Sequence, residues 1–299
     1  MRVAITGASG LIGSALGAEL VRTGHTVLRL VRRERGLGPE DVHWDPMAGR
    51  IDARALEGVD VAVHLAGESI GTERWTREKM VAIRESRVRG TSLLARTLAG
   101  LDRPPAVLLS ASAVGYYGDR EPHRPVDEES GPGAGFLAGV AEEWEDATAP
   151  AAAAGIRVVH MRFGMVLARE GGALPAMLRF FRLGLGGPVG NGRQMWPWIA
   201  LDDVIPALMH CIAHGELAGP VNFVAPEAVN ADGFARALGR ALGRPAFLRV
   251  PALAARIAFG HMAEEVLLSG AKVVPRRLRE SGYRFRWPEL EPALRHILG

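Results

Sequence analysis

Three glycines with the spacing of a phosphate-binding turn lie near the start of the chain. The segment ITGASGLIG places Gly7, Gly10 and Gly13 between an apolar run typical of a strand and a stretch with helical periodicity. Main-chain N–H groups at a helix N-terminus can bind a pyrophosphate, and side chains there would block its approach. The spacing is not the common Gly-x-Gly-x-x-Gly, and an ordinary tight turn is the alternative. The sequence predicts a dinucleotide site formed by Gly7, Ser9, Gly10, Leu11, Ile12 and Gly13.

Two arginines follow the second apolar run, where the residue that meets the adenosine ribose is expected. A carboxylate there would accept a hydrogen bond from the 2′-hydroxyl of NAD, whereas Arg32 and Arg33 would pair with a 2′-phosphate. Arginine is abundant in this chain, so a solvated strand end is the alternative. We predict that the cofactor is NADP. The next long run ends in Leu65, Ala66 and Gly67, which would let the dinucleotide lie across the sheet edge.

Strands and helices alternate over the first three-quarters of the chain and must position these residues. Runs rich in Val, Ile and Leu occupy residues 2–6, 26–31, 59–66, 106–114, 156–167 and 219–225. They predict an α/β fold, a doubly wound parallel sheet of the Rossmann type that is buried on both faces. After residue 226 the pattern becomes helical. We predict an NADP-binding Rossmann domain of residues 1–167 and 201–226, and a smaller, mainly helical substrate domain of residues 168–200 and 227–299.

Composition excludes several classes of partner. A chain of 299 residues with 48% hydrophobic content can bury one large core or two unequal ones. The net charge is +3 and acidic residues are interspersed with basic ones, so we expect no nucleic-acid partner. No apolar stretch is long enough to span a bilayer, so we expect no membrane partner. The single cysteine, Cys211, and the absence of a charged leader before an apolar segment predict a cytoplasmic protein.

Several motifs resemble those of a known family. TGASGLIG, HLAG, the serine of SASAVGYYG and the segment PWIALDDV are similar to extended short-chain dehydrogenases/reductases, the NAD-dependent epimerase/dehydratase superfamily. HLAGESI, SRVRGT, GLGGPVGNGRQMWPWI and EEVLLSGAKVVPRRLRESGYRFRWPEL resemble a subgroup called epimerase family proteins, which carry a C-terminal domain of unknown function. The resemblance spans essentially the whole chain.

The wider family implies a serine or threonine at a strand end and a Tyr-x-x-x-Lys pair on the following helix. Ser112 fits the first role, in which it would polarise a substrate carbonyl. The pair is absent from this chain, because the residues four positions after Tyr116, Tyr117 and Tyr283 are Arg120, Glu121 and Trp287. On the helix that should carry the pair, Phe136 or Leu137 takes the tyrosine position and Val140 or Ala141 the lysine position.

The missing lysine limits what a tyrosine could do here. A phenol with a pKa of about 10 is ionised to roughly one part in a thousand at pH 7, so its use as a base costs about 4 kcal/mol without a nearby cation. A neutral phenol can still donate a proton to a carbonyl that receives hydride. We predict that Tyr117 either donates such a proton or forms part of the pocket wall, and that neither Tyr116 nor Tyr117 is a phenolate base.

Further candidates line the predicted pocket. Glu68 follows the cofactor strand and is expected to face the substrate or to serve in the loop, while Arg87 is expected to face the cofactor or to lie at the surface. We also assign Val166 to the cofactor site. The family's substrate loop implies that Gln194, Trp196 and Trp198 face the substrate, with core packing of the tryptophans as the alternative. No His/Cys cluster has metal-ligand spacing.

These residues support two functional hypotheses. The first is an NADP(H)-dependent oxidoreductase or epimerase-like enzyme that acts on a small carbonyl or sugar-type substrate. The second is a protein that binds or senses NADP(H) without turnover. In both cases the partner is a small molecule, and the oligomeric state stays open, a homodimer included.

Overall fold

The computed structural model describes residues 1–71 and 74–299. The strands are β1 (Arg2–Thr6), β2 (Thr26–Val31), β3 (Asp41–Asp45), β4 (Arg50–Ile51), β5 (Val61–His64), β6 (Val107–Ala113), β7 (Pro125–Val126), β8 (Arg157–Phe163), β9 (Met165–Leu167), β10 (Trp198–Ala200), β11 (Gly219–Phe223) and β12 (Lys272–Val273). The helices are α1 (Leu11–Arg22), α2 (Arg77–Ala99), α3 (Phe136–Asp146), α4 (Ala149–Ala153), α5 (Leu174–Phe181), α6 (Leu201–Ala213), α7 (Ala231–Leu242), α8 (Ala252–Phe259), α9 (Arg276–Glu280) and α10 (Leu290–Leu298).

Eight strands form one large sheet, in the order β11-β8-β6-β5-β1-β2-β3-β4. Neighbouring strands run parallel except β3 and β4, which are antiparallel. The predicted doubly wound parallel sheet is confirmed. The strand order reverses between β1 and β5, and ligands of such sheets bind at this switch point, outside the carboxyl ends of the strands. The glycine turn follows β1 and residues 65–67 follow β5, so both predicted cofactor segments lie there.

Both faces of the sheet are covered by helices, as continuous apolar strands require. Val3 and Ile5 of β1 pack in one buried cluster with residues of α1 and α6, while Ala4 between them packs in a second cluster with residues of α2. The alternation follows from the two-residue period of a strand. None of the described helices combines the length and apolar character needed to cross a membrane.

A third buried cluster lies beyond the sheet. It joins α5 with α7 and α10 through Leu178, Phe234 and Leu294, and it includes Trp198 of β10. The cluster therefore draws its residues from both segments of the predicted substrate domain, 168–200 and 227–299. The division into two domains stays a prediction, and this shared core is the observation on which we propose it.

The C-terminal segment also contacts the part of the chain between β6 and β8, two strands of the large sheet. Strand β12 pairs with β7 in parallel. The Glu265 carboxylate accepts hydrogen bonds from the main-chain N–H groups of Phe136 and Leu137, at 3.0 and 2.9 Å. These are first-turn groups of α3, which have no partner inside the helix, so Glu265 supplies the cap that Gly135 cannot. The start of α3 is thus fixed by a residue more than a hundred positions later in the chain.

Candidate functional site

The turn after β1 is packed so closely that side chains at two of its glycines would collide with the protein's own main chain. Gly7 has φ +67°, and a Cβ there would lie 2.8 Å from the carbonyl carbon of Leu65. A Cβ on Gly13 would lie 2.2 Å from the carbonyl oxygen of Gly7. Helix α1 begins after Gly10, which has no side chain to cap the first N–H groups. These groups point to the switch point and fit a pyrophosphate.

Thr6 fixes the second cofactor segment against the first. Its hydroxyl oxygen accepts hydrogen bonds from the N–H groups of Leu65 and Ala66, both at 3.1 Å, and also contacts Nδ1 of His64 at 2.7 Å. His64 is fully buried, and burial lowers its pKa to about 4. It is therefore a neutral core residue that orients the Thr6 hydroxyl.

The two arginines after β2 have different surroundings. The Arg33 guanidinium forms an ion pair with Asp41 of β3, and Arg29 pairs with the same carboxylate at 2.7 Å. Arg32 is exposed and forms no ion pair within residues 1–71 and 74–299. Arg32 is thus the arginine whose donors are available to a 2′-phosphate. Contact of either arginine with a cofactor stays a prediction.

Glu68 and Arg87 lie together beside Gly67. The Arg87 guanidinium donates to the carbonyl oxygen of Glu68 at 3.0 Å and lies 4.9 Å from the Trp144 ring centroid. Burial lowers the pKa of Arg87 to about 10. The Glu68 carboxylate pairs with Lys79 at 2.6 Å, and this hydrogen bond is the main reason that the pKa of Glu68 is lowered. Both side chains are therefore ordered by protein contacts, and their ligand contacts stay predictions.

Ser112 is part of a buried polar network at the end of β6. Its hydroxyl donates to Oε1 of Glu145 on α3, at 2.7 Å. Arg162 of β8 binds both oxygens of the same carboxylate, with Nε and Nη2 each at 2.7 Å. The side chains of Arg162 and Glu145 are only 3% and 10% exposed. Such a bidentate, charge-assisted pair is strong and fixes the direction of the serine hydroxyl.

The neighbouring tyrosines have opposite environments. Tyr117 is fully buried; its hydroxyl donates to Oδ1 of Asn222 at 2.8 Å and accepts from Nη1 of Arg162 at 2.9 Å. Burial raises the pKa of Tyr117 to about 12. Tyr116 is only partly buried, its ring lies 3.5 Å from the Arg162 guanidinium carbon, and its hydroxyl bonds to none of the described residues. The Tyr117 hydroxyl is therefore already bonded inside the protein, whereas the Tyr116 hydroxyl has no partner among the described residues; the role of Tyr117 as proton donor or pocket wall stays a prediction.

Helix α3 carries a carboxylate near the positions where the wider family implies tyrosine and lysine. Leu137 and Ala141 occupy the two positions in one register, and Glu145 follows one turn after Ala141. Residues four apart lie on the same side of a helix. The helix therefore presents Glu145, instead of a phenol and an ammonium group, to the serine of β6.

The predicted substrate residues Gln194, Trp196 and Trp198 lie at the start of β10 or just before it, and contacts within the protein hold them in place. Gln194 donates to the carbonyl oxygens of Val189 and Leu267, at 3.0 and 2.7 Å. Trp198 is fully buried and its indole N–H donates to the carbonyl oxygen of Glu227, at 3.1 Å. Trp196 packs edge to face on Phe234. This placement agrees with the packing alternative, so a substrate contact stays a prediction without support from these contacts.

Val166, the last predicted cofactor residue, lies in β9. It is partly buried and pairs with Ile199 of β10. It also packs against the buried cluster that contains Val3 and Ile5 of β1. A Cβ on Gly172 would lie 3.0 Å from the Val166 carbonyl oxygen and 3.4 Å from Leu11 in the first turn of α1. The segment after β9 therefore approaches the glycine turn, and its contact with a cofactor stays a prediction.

Comparison with known proteins assigns the family. The sequence model of the NAD dependent epimerase/dehydratase family matches residues 3–225, and that of a domain of unknown function, DUF1731, matches residues 250–297. The chain belongs to the NAD-dependent epimerase/dehydratase family. An epimerase family protein of Mycobacterium tuberculosis is 44% identical over 98% of this chain and 96% of its own length. The human epimerase family protein SDR39U1 is 37% identical over the whole of both chains.

Solved structures of family members superpose closely. The human epimerase family protein SDR39U1, crystallised with NADPH, gives a TM-score of 0.90 at 36% identity and covers 99% of each chain. A nucleoside-diphosphate sugar epimerase from Corynebacterium glutamicum gives 0.83 at 36% identity, over all of this chain and 58% of that one. The resemblance to epimerase family proteins with a C-terminal domain of unknown function is therefore confirmed.

Glu145, Arg162 and Thr6 belong to this site but were not found by sequence reasoning. Arg162 offered a signal, because a charged residue inside a buried strand needs a buried partner. Glu145 lies in the acidic run AEEWE on the helix that should carry the Tyr/Lys pair. The helical period places it on the side of Ala138 and Ala141, which are buried. Neither of these signals shows that Glu145 and Arg162 pair with each other.

Proposed function

We propose that this chain is an NADP(H)-dependent oxidoreductase of the epimerase-like type, acting on a small carbonyl or sugar-type substrate. One observation carries the proposal: the Ser112 hydroxyl bonds to Glu145, which Arg162 holds in place. The result is an oriented hydroxyl at the carboxyl end of β6, beside the switch point. The confirmed family and the relative crystallised with NADPH support it. Reduction and epimerisation both require hydride transfer at this position.

The residues around the switch point fit a dinucleotide. The cradle at Gly7 and Gly13 would hold the pyrophosphate, Arg32 the 2′-phosphate, and residues 65–67 the part that crosses the sheet edge. When bound, the nicotinamide cofactor supplies or accepts the hydride. Excluding water and orienting the substrate are left to the protein, and we propose that residues 168–200 and 227–299 form the pocket wall.

Ser112 and Tyr116 are proposed to manage the proton. Because the Ser112 hydroxyl donates to Glu145, its oxygen can accept a hydrogen bond from a substrate hydroxyl and pass its own proton toward the carboxylate. For a carbonyl substrate, rotation of the hydroxyl would let it donate to the carbonyl oxygen instead. Tyr116 is the better donor of the final proton, since the Tyr117 hydroxyl is saturated by Asn222 and Arg162.

A non-catalytic NADP(H)-binding protein is the second candidate. It is favoured by the absence of the Tyr-x-x-x-Lys pair and by the protein contacts that hold Gln194 and Trp198. Incubation of the chain with NADPH and a panel of aldehydes, ketones and keto sugars separates the two. Steady loss of the 340 nm absorbance with one of them supports the enzyme. Tight NADPH binding without oxidation across the panel would favour the second candidate. We place the protein in the cytoplasm in both cases.

NADPH is expected to bind more tightly than NADH, by about 2 to 4 kcal/mol, and Arg32→Ala is expected to remove about 1.5 to 3 kcal/mol of NADPH affinity. The physical reason is the loss of charge-assisted contacts to the 2′-phosphate, which NADH lacks. Isothermal titration calorimetry with both cofactors measures the two effects.

Arg33→Ala is the matched control for Arg32→Ala. Arg33 already pairs with Asp41, which Arg29 also binds, so its removal should cost less NADPH affinity than the removal of Arg32. Equal affinities of the unaltered protein for NADPH and NADH would contradict the assignment of both arginines.

Tyr117→Phe is expected to leave NADPH affinity unchanged and to lower turnover by less than about tenfold. It should lower the free energy of unfolding by about 1 to 3 kcal/mol, because Asn222 and Arg162 lose a buried partner. Tyr116→Phe should show the converse, a larger loss of turnover with little change in stability. Urea unfolding and steady-state kinetics measure both. A hundredfold loss in Tyr117→Phe at full stability would make Tyr117 the donor.

A further inference from the structure

A cluster of exposed apolar side chains lies on the part of the chain beyond the large sheet. We call it the apolar face and define it by Leu183, Leu185, Phe247, Leu248, Leu253 and Ile257, all of which are exposed. Leu183 and Phe247 are 72% and 73% exposed. Single exposed apolar residues are ordinary, but a contiguous group on one surface marks an interaction site.

Main-chain hydrogen bonds make the apolar face continuous. The N–H of Leu248 donates to the carbonyl oxygen of Gly186 at 3.2 Å, and the N–H of Val250 donates to that of Pro188 at 2.9 Å. Residues 183–190 and 245–250 therefore run side by side. Helix α8 begins two residues after Val250, and a Cβ on Gly190 would lie 4.0 Å from the Cβ of its first residue, Ala252, so the helix starts beside these two segments.

Helix α8 has very little protein contact of its own. Ala255 is its one buried residue, and Leu253 and Ile257 are 66% and 67% exposed. An eight-residue helix is marginal in water and normally depends on burial of one face. Leu253 and Ile257 are four residues apart, so they project from the same side of the helix. This side of α8 is suited to burial against something outside the chain.

Arginines outnumber carboxylates around the apolar face. Residues 171–200 and 233–263 contain no aspartate or glutamate, and they contain eight arginines, three in the first segment and five in the second. Four of these pair with carboxylates outside the segments: Arg236 and Arg249 with Asp232, Arg240 with Glu291 and Arg256 with Glu264.

Other arginines keep their donors for an external anion. Arg182 and Arg244 form no ion pair within the part of the chain that the structure describes. Arg244 lines a groove of about 430 Å³ with Arg236 and Arg240, and Phe247 forms part of the same wall. Positive charge and exposed apolar side chains therefore meet at one place.

We propose that the apolar face docks on the surface of an anionic lipid membrane. In this arrangement Leu253 and Ile257 enter the interface between headgroups and acyl chains, while Arg182 and Arg244 bind lipid phosphates. A second copy of the chain is the less favourable occupant, because a two-fold contact would bring together two surfaces that both carry an excess of arginine. The sequence-based expectation of no membrane partner considered spanning segments, and peripheral docking needs none. The proposal does not depend on the catalytic one.

Co-sedimentation of the full chain with lipid vesicles tests this proposal. We expect binding to vesicles of phosphatidylcholine mixed with phosphatidylglycerol, weaker binding to phosphatidylcholine alone, and weakening by salt. The double variant Leu253→Ser, Ile257→Ser should lower partitioning by about tenfold or more. Arg182→Ala and Arg244→Ala should each lower it by about fivefold on anionic vesicles only.

Matched controls lie outside the apolar face. Val21→Ser removes an equally exposed aliphatic side chain from α1, and Arg54→Ala removes an exposed arginine from the Rossmann part. Both should bind vesicles as the unaltered chain does, and thermal melting should show that all variants fold. The proposal fails if anionic vesicles bind no better than neutral ones or if the controls lose as much binding. It also fails if Leu253→Ser, Ile257→Ser converts a dimer to a monomer in sedimentation velocity and leaves partitioning unchanged.

Discussion

Arg162→Met is expected to lower the free energy of unfolding by about 3 to 5 kcal/mol, the cost of leaving a buried charge without its partner. The Glu145 carboxylate would lose both donors of a bidentate pair, and Tyr117 would lose the donor to its hydroxyl oxygen. Methionine has a similar length and is apolar, so the change removes charge with little change of volume. Urea unfolding, followed by circular dichroism, measures the loss.

The double variant Arg162→Met, Glu145→Gln is the control for this prediction. Because both charges are removed together, its destabilisation should be smaller than the sum of the two single changes, by an interaction free energy of about 1 to 3 kcal/mol. Additive effects would show that the pair does not act as a unit. A single Arg162→Met variant as stable as the unaltered chain would contradict the buried network itself.

Ser112→Ala is expected to lower NADPH-dependent turnover by about a hundredfold or more, close to 3 kcal/mol of barrier, and to leave NADPH affinity unchanged. Ser112 is the hydroxyl that Glu145 orients at the carboxyl end of β6, and its removal deletes the hydrogen bond to the reacting oxygen. Single-turnover kinetics with the carbonyl substrate identified from the panel measure the chemical step. Calorimetry measures the cofactor affinity.

Ser110→Ala is the matched control for Ser112→Ala. Ser110 is a buried serine two residues earlier on the same strand, and within residues 1–71 and 74–299 its hydroxyl makes only a long contact, 3.5 Å, to the Ala111 carbonyl oxygen. Its replacement should change turnover by less than about threefold, because none of the described charged side chains bonds to its hydroxyl. If the two variants lost turnover equally, the effect of Ser112 would reflect strand packing and not a contact with the reacting oxygen.

The sequence alone determined the strand, glycine turn and helix that begin the predicted cofactor site. A strand, three glycines and a helix follow one another within 22 residues, and β1 and β2 begin and end where the apolar runs do. This was predictable because the glycine turn, the strand and the helix are local: each depends on neighbouring residues and on the two-residue or 3.6-residue period. The doubly wound fold followed from the order of these local elements.

The sequence predicted the surroundings of a side chain less well where its partner lies on another strand or helix. Arg32 and Arg33 are the same residue type at adjacent positions, and only β3, which was not predicted, supplies the Asp41 that pairs with Arg33. Strand β3 was missed because it has five residues and alternates polar with apolar ones near the sheet edge. The run at residues 156–167 likewise proved to be two strands, β8 and β9, separated by Gly164.

The tertiary structure alone decided the chemistry around Ser112. Glu145 lies 33 positions from Ser112, and Arg162 lies 45 positions from Tyr117, yet all four side chains meet between β6, β8 and α3. The rings of Tyr116 and Tyr117 meet edge to face, but the Tyr117 hydroxyl is buried between Asn222 and Arg162, whereas the Tyr116 hydroxyl bonds to none of the residues that the structure describes. A sequence fixes which donors and acceptors exist. Which of them satisfy one another depends on the packing of distant elements, since buried polar groups must find partners wherever the fold places them.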